Sequence, residues 1–287
     1  MWLFLGLLTA FLTSLVDVLG RKALNRVDVY TMAWAWPFFS AVAIGPMVFF
    51  QPIPPLGPLF WPAALSSTVI LTVSFVYYAK AIQSADLSLT VPMLTFTPLL
   101  LLITSPLMLR ESPKFMGFWG IILIVIGSYL LNFKERANGY FAPFHSLWRV
   151  QGARYMLFVA LLYSIGANVD KIGVQNSSPV FWIFTIYGLS AIPLSLIFWK
   201  KVVGRRSQLK RGLPLFILMG ILGALANVVQ MVAINMTIVP YLIAVKRTSV
   251  FITSLFGFWM FKESGFRERA WGAALMVLGV FVIAFSQ

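Results

Sequence analysis

The chain has 287 residues, of which 60% are hydrophobic and only 10% charged. Soluble domains carry about 25% charged residues, so this composition and a mean hydropathy of +0.89 describe an integral membrane protein. A net charge of +14 would suit nucleic acid, yet nearly all the cations fall in short connections between apolar runs, the pattern of retention at a cytoplasmic face.

The first apolar run, 2–19, follows no basic stretch and precedes no clear small-residue cleavage site, so it reads as a first span and not a signal peptide. Further runs follow at 30–50, 59–80, 88–109, 115–131, 154–170, 180–199, 213–234, 241–260 and 270–286. A bilayer is crossed by about 20 helical residues, so these are ten candidate helices. Gln51–Pro58 is a stiff proline-rich turn, and 132–153 is the longest connection. Within it Phe141, Phe144, Leu147 and Trp148 indicate a surface-lying amphipathic piece. Pro37, Pro46, Pro92, Pro98, Pro106 and Pro193 fall inside spans, where they kink helices and free carbonyls. Trp34 and Trp36 on the second helix are read as facing lipid or gating a path.

The chain repeats itself. Arg110-Glu111-Ser112 after the fourth run recurs as Lys262-Glu263-Ser264 after the ninth, a displacement of 152. The same displacement carries Trp119-Gly120 to Trp271-Gly272, Gly127 to Gly279 and Ala81-Ile82 to Ala233-Ile234, while Ser14 and Arg21 map to Ser164 and Lys171 at 150. Five spans is an odd number, so the second unit must lie upside down relative to the first. The expected fold is an all-α polytopic membrane protein: ten transmembrane helices as two inverted five-helix repeats around a central cavity. The repeats are 1–131 and 154–287, joined by a linker over 132–153.

Two five-helix units, each with a basic-Glu pair closing the fourth helix and a Trp-Gly…Gly fifth helix, resemble the EamA-type drug/metabolite transporters over essentially the whole chain. The resemblance implies secondary transport of small metabolites through a cavity lined by the fourth and ninth helices. It leaves the substrate open.

The candidate site starts from Lys246 and Arg247, adjacent cations inside the apolar stretch Tyr241–Met260, which holds no acidic residue. A cation near mid-bilayer costs about 2.5–3.5 kcal/mol on insertion scales, so it is expected to face a polar cavity. Polar stripes at helical spacing run toward the same place: Ser14, Asp17 and Arg21 on helix 1, and Ser164, Asn168 and Lys171 on helix 6. Helix 3 carries Ser74, Tyr77, Lys80 and Ser84, helix 8 carries Asn227 and Gln230, and Lys246 shares a face with Ser249 and Thr253. Interhelical hydrogen bonding is the alternative for any one of these groups. Lys80, Lys246 and Arg247 outnumber Asp17, and a cavity with surplus positive charge favours anions. The adjacent Lys-Arg also resembles the phosphate-binding pair of plastid-type sugar-phosphate translocators. That branch has a further lysine in its first half, where this chain has Leu94 and Thr95, leaving Lys80 as a geometric substitute. The proposed substrate-binding set is therefore Lys246, Arg247, Lys80, Tyr77, Gln230, Asn168 and Asp17.

The glycines Gly120 and Gly127, like Gly272 and Gly279, are read as packing surfaces, and Glu111 and Glu263 as bonding helix ends or loop groups. An enzyme is not expected. There is no cysteine, no HExxH, no His/Asp metal cluster and no phosphate-binding Gly-Lys loop, and the single histidine, His145, lies in the central linker. No cofactor is expected. The leading expectation is a secondary transporter of a small organic anion, a carboxylate or phosphate, by alternating access. The alternatives are an exporter of amino acids or amphipathic drugs with a structural basic pair, and a flippase for an anionic lipid-linked intermediate. Its partners would be that metabolite and the lipid bilayer, with no nucleic acid; a homodimer stays open. The expected location is a bacterial inner membrane. Cations crowd the connections after odd-numbered helices, which places those loops in the cytoplasm and both termini outside.

Overall fold

The computed structural model describes residues 1–84, 91–132, 150–204, 206–261 and 266–286, and these are helices and short turns. In chain order they are α1 (Trp2–Leu24), α2 (Val29–Phe49), α3 (Phe60–Ser84), a 3-10 segment (Val91–Phe96) running into α4 (Thr97–Leu109), α5 (Phe115–Asn132), α6 (Gln151–Gln175), α7 (Pro179–Val203), α8 (Arg206–Ile234), α9 (Val239–Lys246), α10 (Ser249–Phe261) and α11 (Phe266–Phe285). Among the described residues, seven helical stretches are long and apolar enough to cross a membrane, α9 and α10 counting as one, and Met93–Leu109, Phe115–Leu131 and Trp271–Phe285 are shorter apolar helices. The order matches the ten expected spans, with one difference of substance: the fourth and ninth are not continuous α-helices. The expected amphipathic piece at Phe141–Trp148, His145 and Glu263 lie outside the described residues.

Polarity is distributed as a lipid environment requires. Phe4, Leu65, Val69, Leu107, Leu196 and Phe281 are exposed, while Thr9, Ser14, Ser40, Ser74, Ser164 and Ser190 are buried. In water this arrangement would leave a large apolar surface uncovered; in hydrocarbon the outer surface is solvated, and small residues inside let the helices pack closely. Helix starts are specified locally. Asp28 accepts from the Tyr30 and Thr31 backbone N–H at 2.9 and 3.3 Å and opens α2. Ser178 accepts from Phe181 N–H at 3.3 Å and, with Pro179 at the first helical position, opens α7.

α5 packs on α11 at glycine distance. A Cβ on Gly279 would sit 2.7 Å from the Gly120 carbonyl, and one on Gly272 would sit 2.7 Å from the Gly127 carbonyl. Only glycine permits that approach, as the seven-residue spacing implied, and the pairing of the earlier glycine of one helix with the later of the other makes the helices antiparallel. Elsewhere α3 packs along α6, α1 along α8 and α2 along α7, while α4 packs on α6 and α9, and α1 on α9 and α10.

Candidate substrate site

The ninth span breaks at the basic pair. α9 ends at Lys246, and backbone bonds over the next residues tighten to the i→i−3 pattern, with Arg247 N to Ala244 O, Thr248 N to Val245 O and Val250 N to Arg247 O each at 3.0 Å. The Thr248 hydroxyl, donating to Val245 O at 2.7 Å, satisfies a carbonyl that the helix would otherwise use. The fourth span carries the same device: its 3-10 segment ends where the Thr97 hydroxyl donates to Leu94 O at 2.8 Å. A tightened stretch within a helix is a frequent mark of a hinge or a functional site. Arg247 joins the two breaks, its Nη2 donating to Thr97 Oγ1 at 2.8 Å.

Around this junction the two cations are lightly held. The Lys246 ammonium donates to Gln230 Oε1 on α8, and Gln230 is itself buried. The Arg247 Nε is buried without a hydrogen-bond partner. Asp17 on α1 lies within electrostatic reach of both cations and of Arg21, and its Oδ2 accepts from Thr253 at the long distance of 3.5 Å. Asp170 on α6 is also within reach of Lys246, but its Oδ1 is engaged by Ser67 Oγ at 2.9 Å and Trp182 Nε1 at 3.1 Å. Among the described residues no carboxylate comes within ion-pair distance of Lys246 or Arg247.

The structure thus brings together Lys246, Arg247, Gln230 and Asp17. It does not bring in the other three expected residues. Lys80 is exposed, with its ammonium 5.0 Å from the centre of the Tyr77 ring, and Tyr77 packs edge-on against Tyr155 and Phe158 near the outer surface. Their stripe faces α6 and the exterior, away from the pair. Asn168 is fully buried and spoken for: Nδ2 donates to Ser164 O and Thr104 Oγ1, each at 3.0 Å, and Oδ1 accepts from Ser105 at 2.6 Å. It ties α6 to α4. The expected surplus of positive charge also needs amendment, because Lys80 leaves the count and Asp170 joins it. Asp17 and Asp170 then face Lys246 and Arg247, with Arg21 also within reach of Asp17, and what singles out the pair is unmet hydrogen bonding.

Two residues escaped the sequence reading. Asp170 is the last residue of the apolar run 154–170, but α6 continues to Gln175 and carries it inside the helix. Thr97 is one hydroxyl among several in the fourth span, and the repeat register there, 152, pairs Arg247 with Thr95 instead.

Lys171 belongs to a separate cluster. Its ammonium bonds Glu111 Oε1 and donates to Thr237 O at 2.7 Å, while Glu111 Oε2 accepts from Val239 N at 2.9 Å. Glu111 therefore caps the N-terminus of α9 as a carboxylate should, which agrees with the helix-end role expected of it. An apolar cavity of about 490 Å³ opens between α2 and α7, lined by Phe38, Val42, Gly45, Phe184 and Gly188 among others, and no charged side chain borders it.

The sequence model of the EamA-like transporter family matches residues 1–133 and again 150–285. The chain belongs to the EamA-like transporter family. An EamA-like protein is a multi-pass membrane transporter of small molecules, not an enzyme, and the apolar helices here fit that assignment. No curated protein matches the chain. A solved structure titled "Crystal structure of protein" is similar in fold, with a TM-score of 0.71 at 15% identity over 99% of this chain and 97% of that one.

Proposed function

We propose that this chain is a secondary transporter that carries a small organic anion, a carboxylate or a phosphate, by alternating access, with Lys246 and Arg247 as the anion-holding pair. The observation that carries the reading is Arg247. Its guanidinium has one hydroxyl partner, Thr97, and a buried Nε with none. A buried cation with unmet donors is costly unless an anion completes it, and the planar fork of arginine suits carboxylate and phosphate oxygens. Lys246, tethered to the neutral Gln230, adds a point charge beside it.

Alternating access by two inverted units is supported by reciprocal packing. Gly120 and Gly272 are equivalent under the 152-residue displacement, as are Gly127 and Gly279, so the contact Gly120–Gly279 maps onto the contact Gly272–Gly127. The same reciprocity relates α3 on α6 to α8 on α1. In such an arrangement a rocking of the units exposes one midplane site first to one side and then to the other. The broken fourth and ninth helices supply the hinge.

Asp17 favours a second reading, a zwitterionic substrate of the amino-acid type. Its carboxylate faces the pair and has one long hydroxyl contact, so it could receive an ammonium. A thermal-shift panel of carboxylates, phosphates and amino acids on the purified protein separates the readings. Simple carboxylates or phosphates should stabilise the wild type and lose that effect in Arg247→Gln. Stabilisation by amino acids alone, lost equally in Asp17→Asn, would establish the zwitterion instead.

A further inference from the structure

A second set of unmet hydrogen-bonding groups lies along α8 from the basic pair. The indole Nε1 of Trp36 and the hydroxyl of Ser40, one turn apart on α2, are buried without partners. Both point at one spot on α8: a Cβ on Gly223 would sit 2.7 Å from Trp36 Nε1 and 3.4 Å from Ser40 Oγ. The edge of Phe75 closes the other side of the Trp36 ring, with centroids 5.8 Å apart. The same face of α8 then carries Asn227, whose Nδ2 donates to Gly223 O at 2.7 Å and whose side chain meets the Tyr187 hydroxyl, and next Gln230, the partner of Lys246. Positions 223, 227 and 230 fall at steps of four and three, so they form one stripe. From Gly223 to Gln230 the helix rises about 10 Å.

We infer that Trp36 and Ser40 form a second substrate subsite, which takes a neutral hydrogen-bond acceptor at the end of the molecule opposite its anionic group. An indole N–H is a donor only, so it selects a hydroxyl, carbonyl or ring nitrogen, and a hydroxyl beside it serves either as second donor or as acceptor. With glycine at 223, no side chain stands between these two groups and the α8 backbone. The substrate is therefore an elongated organic acid whose acceptor end lies about 10 Å from its charged end, the α8 rise between the two subsites. This rests on the anion-holding role of Lys246 and Arg247, and it adds the specificity of the far end.

Phenylbutyrate and its para-hydroxy analogue are suitable probes, since they differ by one acceptor at the end away from the carboxylate. Binding to the purified full chain is measured by calorimetry for the wild type, Trp36→Phe, Gly223→Ala and Arg247→Gln. In the wild type the hydroxylated probe should bind about tenfold more tightly, the scale of one desolvated hydrogen bond. Trp36→Phe should bring the ratio to about one, with the hydroxylated probe losing more affinity than phenylbutyrate, because only the indole N–H distinguishes the two probes. Gly223→Ala, whose methyl displaces the indole, should also abolish the preference. Arg247→Gln should weaken both probes about equally and keep their ratio. A preference that survives in Trp36→Phe, or a wild type that shows none or binds neither probe, overturns the subsite. Undiminished binding of both probes to Arg247→Gln overturns the anion reading alone.

Discussion

Two buried cationic clusters, barely one helix apart, show opposite treatment of charge. At the start of α9 Lys171 is buried against Glu111, and both groups are further satisfied by backbone, Lys171 by the Thr237 carbonyl and Glu111 by the Val239 N–H. At the end of the same short helix Lys246 has a neutral amide and Arg247 a hydroxyl, with one guanidinium nitrogen unmet. The first cluster is complete in itself and fixes where α9 begins. The second is incomplete in itself, so its remaining hydrogen bonds are available to something that comes and goes. Polar satisfaction, more than charge or burial alone, separates the structural cations of this protein from the functional ones.

Breaking the complete cluster should have the largest effect. Lys171→Met leaves the Glu111 carboxylate without its ion pair and should cost about 3–5 kcal/mol of stability, read as lost expression or a lowered unfolding temperature in detergent. Adding Glu111→Gln removes the stranded charge and should recover part of that loss. Arg247→Gln sharpens the contrast from the other side. It should weaken anion binding by about 1.5–3 kcal/mol, roughly ten- to a hundredfold, with the unfolding temperature unchanged or raised. Lys246→Arg should retain more binding than Lys246→Gln, because charge survives although geometry changes. If Arg247→Gln instead unfolds the protein as Lys171→Met does, the two clusters are of one kind.

Smaller effects bear on the frame that holds both clusters. Gly279→Ala places a methyl 2.7 Å from the Gly120 carbonyl, an overpacking that should cost about 1–3 kcal/mol in thermal unfolding. Asn168→Leu removes the bonds from α6 to Ser105 and Thr104 and should cost about 1 kcal/mol, the scale of interhelical hydrogen bonds within membranes. Its anion affinity should stay at the wild-type value, since both N–H groups of Asn168 are already engaged and none is left for an anion. A selective loss of affinity there would return Asn168 to the site.

Much of the fold was legible in the sequence because membrane helices announce themselves by long apolar runs, and all ten runs correspond to helical stretches. The glycine pairs were legible for the same kind of reason: a seven-residue spacing repeats on one helix face. The break in the ninth span was not, whereas Pro92 and Pro98 marked the one in the fourth. No glycine or proline stands at Arg247 or Thr248, and the tightening there comes from a threonine bonding its own turn, which leaves no mark in hydropathy. At the site, Lys246, Arg247, Gln230 and Asp17 could be read from charge and spacing, since polar groups inside a bilayer are few and expensive. Lys80, Tyr77 and Asn168 satisfied the same spacing yet went elsewhere, because periodicity reports which residues share a face but not which neighbour that face meets. Asp170 was hidden by a helix end placed five residues too early.

The central claim is that the lightly held pair on the ninth span binds the substrate's anion. Transport into proteoliposomes tests it most directly. Radiolabelled carboxylates and phosphates are screened for uptake by the wild type, and those carried are then offered to Lys246→Gln/Arg247→Gln at equal protein density. The account predicts a carried anion whose uptake falls to background in the double variant while the variant keeps its unfolding temperature. A stable double variant that carries the same anion at the wild-type rate would contradict it.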